Sequence, residues 1–354
     1  MGRWQSRNTS AKEQGGSLRS RRSKPAVESL EERTVMSPPT VAPGYTLAVL
    51  ATSPKGNSQP DSIVVDDENV FVGFGDGVAK DGTDGKSSTV VQFSKAGAVI
   101  HTYSVPGHND GLKIDPETHQ LWALQNEDGN PNLVVINPRT QTETKYTFGP
   151  VADGGGYDDI TFLRGKVYMS ESSPTANPNT APAIVQVRLS GTTAIVTPVL
   201  LGNASAFNVV TKKTVTLNLQ DPDSMTAGPG GTLVMTSQSD DEIVIVKHPG
   251  RPGQSVSLLP LTDATKNPVS VDDTLFKREG GGEVLFTDLN AGIIYAISGP
   301  ALRERQTLSA ALDIGEVGTT DFETGVFTPI ITGLQSPRGL ALLPTDEGEG
   351  HHGD

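Results

Sequence analysis

One short pattern recurs along the chain at nearly constant spacing and restricts the fold more than any other feature. It is any residue, Asp, any residue, then an apolar one: Pro60-Asp61-Ser62-Ile63, Asn109-Asp110-Gly111-Leu112, Tyr157-Asp158-Asp159-Ile160, Pro222-Asp223-Ser224-Met225 and Asp272-Asp273-Thr274-Leu275. A sixth copy, Pro337-Arg338-Gly339-Leu340, carries Arg in the Asp place. Successive second positions lie 49, 48, 65, 50 and 65 residues apart. A repeat of about 40–50 residues is what the four strands of one propeller blade require. The expected fold is therefore all-β, a β-propeller of four-stranded blades. Six copies predict six blades, with five or seven left open because the last copy offers only two evident strands. The two long intervals predict insertions near 203–220 and 299–318.

Local patterning supports strands rather than helices. In the second repeat, Leu112–Asp115, Leu121–Leu124, Leu133–Ile136 and Thr144–Phe148 are short apolar or β-branched runs. Asp115-Pro116-Glu117-Thr118 and Asn137-Pro138-Arg139-Thr140 place Pro second in a turn, where its fixed φ belongs. The chain divides into a basic N-terminal segment over 1–40, the propeller over 41–345 and a polar tail over 346–354. The run Thr46–Thr52 precedes the first repeat, and it is expected to join the C-terminal strand and close the ring.

The formal charge of −13 opposes nucleic acid, whose phosphates demand clustered Lys and Arg. No apolar run reaches the roughly 18 residues of a membrane span, so no membrane insertion is expected. Cysteine is absent, which removes disulfides and thiolate ligands. A monomer is expected.

The repeat also places chemistry. An Asp opening the innermost strand of each blade sits at one end of the ring axis, and the loops between second and third strands return to that same end. Asp61, Asp110, Asp158, Asp223 and Asp273 should therefore converge, with Arg338 in the sixth place. Two unit charges ~10 Å apart repel by about 1.7 kcal/mol at an effective dielectric of 20. Five carboxylates thus call for protons, backbone donors or a cation, and clustered oxygen ligands suit calcium. The polar loops add Asn126, Glu127, Glu171, Asp240 and Asp288 as candidate ligand-binding residues beside Arg338. The competing reading is structural: an Asp before a strand accepts hydrogen bonds from nearby backbone N–H groups. Of the six His, only His108 could approach the ring. Gly73, Gly75 and Gly77 open no helix and so form no phosphate loop.

Ser336-Pro337-Arg338-Gly339-Leu340 and Pro222-Asp223-Ser224-Met225 resemble the strand openings P-x-G-L and P-D-G-M of the six-bladed NHL and senescence-marker-protein/gluconolactonase-like propellers. The likeness runs over about residues 45–345. It implies metal ligation at Asp223, at Asp61 by repeat position, and at Asp110 where that family has Asn. It departs from the family in lacking a glutamate before the first blade. Leu30-Glu31-Glu32-Arg33-Thr34-Val35-Met36-Ser37 resembles the L-E-x-R-x-x-x-S signature that opens exported proteins of certain bacteria, implying a secreted or cell-surface protein. The function expected is an extracytoplasmic binding propeller whose acidic face holds a divalent cation or small polar ligand. A metal-dependent hydrolase resembling the gluconolactonases is the first alternative. A structural module contacting a cell-surface component, with no small-molecule site, is the second.

Overall fold

The computed structural model describes residues 37–66, 69–152, 154–277 and 282–344. The basic N-terminal stretch, all of the export-like signature except Ser37, and the polar tail lie outside the described residues. Within them the chain is almost wholly strand and turn, and the one helical segment is a 3-10 turn at Gln238–Asp240.

The strands sort by hydrogen bonding into six four-stranded antiparallel units. The first unit is Pro60–Asp66, Asn69–Phe74, Ser87–Ser94 and Val99–Pro106. The second runs from Asn109–Ile114 to Thr142–Phe148, the third from Gly154–Leu163 to Thr193–Leu201, and the fourth from Pro222–Gly228 to Ser255–Pro260. Innermost strands pack side by side in order around the axis, and Pro337–Leu343 packs back against Pro60–Asp66 to complete the circle.

Burial explains the sequence gradient within a unit. The second strand Asn69–Phe74 is buried along nearly its whole length because neighbouring units cover both its faces, so it reads as a continuous apolar run. The outermost strand Thr142–Phe148 is mostly exposed and reads Thr-Glu-Thr-Lys. Each of six apolar clusters joins two adjacent units. Phe71, Val90 and Tyr103 of the first unit meet Leu112, Leu121 and Val134 of the second, and Ile63 and Val72 meet Leu285 and Ile294 of the sixth. Phe71 and Trp122 are core residues, as their strand positions imply.

The recurrent motif has a backbone counterpart. Register against the second strand slips between Pro60 and Ile63, Asn109 and Leu112, Tyr157 and Ile160, and Pro222 and Met225. A bulge at the head of the innermost strand re-aims the side chain it carries, which sends the motif Asp toward the axis. Glycine in the third place follows from close approach: a Cβ on Gly111 would meet the Asp158 carbonyl oxygen, and one on Gly339 the Asp61 carbonyl oxygen.

The fifth and sixth units depart from simple succession. The fifth takes Thr274–Phe276, Thr307–Ala311, Glu316–Thr320 and Phe327–Thr332, while the sixth takes Pro337–Leu343, Glu283–Asp288, Ile293–Ser298 and Thr46–Thr52. The chain thus leaves the fifth unit after one strand, lays down two strands of the sixth, and then returns. Residues 299–318, expected as an insertion, are instead connection and regular strands of the fifth unit. The other long interval holds an added hairpin, Ser205–Asn208 with Lys213–Thr216, on the outer edge of the fourth unit. The N-terminal strand Thr46–Thr52 shares a sheet with the C-terminal strand but pairs with Ile293–Ser298, and Thr40–Val41 pairs with the fifth unit's outermost strand.

Candidate metal centre

The bulges and the returning loops enclose a cavity of about 90 Å³ at one end of the axis. Asp61, Asp110, Asp158, Asp223 and Arg338 line it from the innermost strands, and Glu127 reaches it from the loop after Leu121–Gln125. The motif of the fifth unit is displaced by one residue. Asp272, not Asp273, lines the cavity, and it accepts hydrogen bonds from Arg338 Nη1 at 2.6 Å and Gln238 Nε2 at 2.9 Å. Asp273 accepts from the Thr274 N–H at 2.7 Å and, across the unit boundary, from the Leu340 N–H at 2.7 Å. Asp159 does the same two boundaries earlier, accepting from the Met225 N–H at 2.8 Å. Asp273 therefore matches Asp159, and the motif is Val271-Asp272-Asp273-Thr274 with buried Thr274 in the apolar place.

The other loop candidates serve the backbone. Asn126 accepts from the His108 N–H at 2.8 Å and donates to the Asn130 carbonyl at 3.0 Å. Asp240 accepts from the Gln220 N–H at 2.8 Å and Ser237 Oγ at 2.6 Å. Asp288 accepts from the Gln335 and Ser336 N–H groups, both at 2.9 Å. Glu171 is buried opposite Tyr157 and is not part of the cavity wall. Sequence reasoning did not single out Lys80, Asp221 or Asp272 as cavity residues. Lys80 sits mid-loop among Gly and Asp with no signal of its own, whereas Asp272 was visible as half of an Asp-Asp pair.

The cavity wall carries nine carboxylates against Lys80 and Arg338. Lys80 Nζ lies 2.5 Å from Glu127 Oε1. Arg338 is bound to Asp272, and the fields of Asp61 and Asp223 also hold it charged. Below the ring, Lys113 Nζ lies 3.0 Å from Asp159 Oδ2 and balances that carboxylate. No lysine or arginine ion-pairs with Asp110, Asp158 or Asp223 among the described residues. One carboxylate oxygen from each of these three falls within 4.8 Å of the others. Asp158 is 6% exposed and its Oδ1 has no hydrogen-bond partner.

Burial pushes the Asp158 and Asp223 carboxyls well up, and Asp110 adds to both. Asp110 is opposed by the same desolvation, yet a hydrogen bond from Asp158 and the charge of Lys80 hold it below its ordinary value. Burial raises Asp61 to about 6 and Asp272 to about 8, with Arg338 opposing in each case. At neutral pH this cluster retains protons, or gives them up to a cation that takes their place. An unpartnered buried oxygen beside two more carboxylates, with no protein cation paired to them, suits a hard divalent ion.

No protein-family model matches the chain, and no curated protein matches it by sequence. Solved structures do. A streptogramin B lyase structure is 12% identical with a TM-score of 0.51, over 84% of this chain and 91% of that one. A protein of unknown function from Bacteroides caccae gives 9% and 0.52, over 86% and 100%. A nidogen/laminin complex structure gives 10% and 0.50, over 85% and 98%. These neighbours and the strand pairing define the class: an all-β protein with the β-propeller fold. At such identities the likeness extends to the fold and not to chemistry.

Proposed function

We propose that this propeller is a cation-dependent binding protein, with Asp110, Asp158 and Asp223 holding a divalent ion, calcium by their hard oxygen chemistry, at the mouth of the axial cavity. The observation that carries the reading is the buried, unpartnered Asp158 oxygen beside two carboxylates that no lysine or arginine among the described residues ion-pairs with. A bound cation would neutralise the trio and offer its remaining coordination positions to oxygen atoms of a small polar ligand. Asp61 and Arg338 line the same cavity and would orient that ligand. The reading agrees with the metal ligation implied by the resemblance to gluconolactonase-like propellers. It also favours work outside the cytoplasm, where calcium is abundant enough for a site of modest affinity.

A metal-dependent hydrolase is the second reading. Asp61, raised to about 6 by burial, would there serve as a base poised near neutral pH beside the ion.

Thermal unfolding with calcium and with chelator tests the site. Stability should rise with calcium by RT ln(1 + [L]/Kd), about 2.7 kcal/mol at a hundredfold excess over Kd. Replacing Asp110 and Asp223 together by Asn should remove the response. A calcium shift that persists in this variant would place the ion elsewhere, and no shift in the parent chain would end the reading.

A further inference from the structure

A second cluster shares Asp110 but differs in chemistry. One ring nitrogen of His108 and one oxygen each from Asp110 and Glu127 lie within 4.8 Å of one another. His108 sits in the short connection between the first two units, one residue before the bulge that aims Asp110. Its Nδ1 is 3.0 Å from the Val78 carbonyl oxygen. A carbonyl only accepts, so Nδ1 carries a proton, and Nε2 is the ring nitrogen left to face the cluster. Fixing the outer ring nitrogen on a carbonyl is how proteins orient a histidine for a metal.

Glu127 provides the independent observation. It is 3% exposed, and its Oε2 accepts no hydrogen bond, with His108 Nε2 at 3.7 Å. Burial together with the neighbouring Asp110 charge raises its carboxyl well above the ordinary range. Lys80 meets only the other oxygen, and its side chain is 58% exposed. A long side chain with most of its stem exposed can withdraw from the site at little cost in packing.

We infer that His108, Asp110 and Glu127 form a binding site for a borderline divalent transition ion such as zinc or cobalt(II), with Lys80 as the charge that holds Glu127 until the ion arrives. One imidazole and two carboxylates select such an ion over calcium, which takes oxygen ligands only. Ligand atoms of a tetrahedral site with bonds of about 2.0–2.1 Å are roughly 3.4 Å apart. The 3.7 Å between His108 Nε2 and Glu127 Oε2 needs only a small inward adjustment. Sharing Asp110 places this ion next to the proposed calcium trio, but its existence does not depend on that trio.

Cobalt(II) titration of the metal-free full-length chain reads the site directly, with His351 and His352 replaced by Ala to remove the tail imidazoles. The expected result is saturable visible d–d absorption stronger than that of the hydrated ion. It should be lost in His108→Gln, while the calcium response of the same variant matches its parent. Lys80→Met should tighten cobalt binding at least tenfold, because no ammonium then competes for Glu127. Absorption no greater than that of hydrated cobalt would overturn the inference. So would bands unchanged in both His108→Gln and Glu127→Gln, or a weaker site in Lys80→Met. A chain that binds cobalt in this way but ignores calcium would refute the calcium reading and leave this one standing.

Discussion

Replacing Asp158 by Asn should make the calcium-free protein more stable at pH 7. Asp110 and Asp223 each bring an oxygen within 4.8 Å of the Asp158 cluster atom. At an effective dielectric of 20, each ionised pair at that distance costs about 3.5 kcal/mol, or about 7 kcal/mol for both. Taking up a proton at pH 7 is cheaper. From an ordinary value of 3.8 it costs 1.36 kcal/mol per pH unit, about 4 kcal/mol in all. Burial, the larger cause, adds to this repulsion, so the proton wins, and about 4 kcal/mol is the ceiling on what this carboxyl removes from stability. The sign follows from linkage. A carboxyl raised on folding binds more protons in the native than in the unfolded state, so stability is lost as pH rises above 3.8 toward the folded value. Asn keeps the shape of the neutral acid and can still donate to Asp110. The variant should unfold on the order of 8 °C higher at pH 7 in chelator, with the gain shrinking toward nothing near pH 4. With saturating calcium the parent should gain and the variant should not. Scanning calorimetry across this pH range decides the matter. A variant less stable than its parent at pH 7 in chelator, or a gain that persists undiminished at pH 4, would refute the repulsion argument.

Beneath the ring, Lys113→Met alone removes one partner of a buried pair; so does Asp159→Asn, which leaves the Lys113 ammonium, 3.0 Å away in the parent, without its counter-charge. Each should cost about 3–5 kcal/mol in denaturant unfolding, and the double variant should recover most of the loss, whereas simple additivity would show that the pair does not interact. Glu242 is raised to about 8 by burial, with Asp240 and Asp241 adding to it. The parent should therefore lose stability between about pH 4.5 and 8, and Glu242→Gln should regain about 2 kcal/mol at pH 9 after screening; parallel pH profiles for the two proteins would count against this. Leu47 packs into the core shared by the fifth and sixth units, so Leu47→Asp should destabilise the ring by about 2–4 kcal/mol. Hydrogen exchange should then rise in Thr46–Thr52 and Ile293–Ser298 together, and exchange confined to the first strand would show that it does not brace the second.

The propeller was legible because its determinant is local. Bulge, inward Asp and apolar anchor fit within four residues, and repetition amplified a signal that one copy could not carry. The same shortness allowed the slip at Asp272-Asp273. Two adjacent Asp residues fit the pattern equally well, and their hydrogen bonds distinguish them: Asp273 accepts from the Leu340 N–H on the next unit, while Asp272 accepts from Arg338 in the cavity. Asp61, Asp110, Asp158, Asp223 and Arg338 were placed by counting. Lys80 and the orientation of His108 were not, because both depend on a loop path and a Val78 carbonyl that no spacing encodes. Pairing of Glu283–Asp288 with Pro337–Leu343 was equally hidden, since local propensity specifies a strand and not which neighbour it joins.

That interleaving carries a consequence for the order of events at synthesis. Strand Thr46–Thr52 waits for Ile293–Ser298, which lies 241 residues downstream. At roughly 5–20 residues per second, the wait is about 12–48 s. Thr40–Val41 waits longer still, for Phe327–Thr332. The first four units have all their strands before residue 261, yet the sixth cannot take its innermost strand until Pro337 has been made. A nascent chain therefore carries its N-terminal strand without its partner through most of translation, and the ring closes only when the last strands have been made.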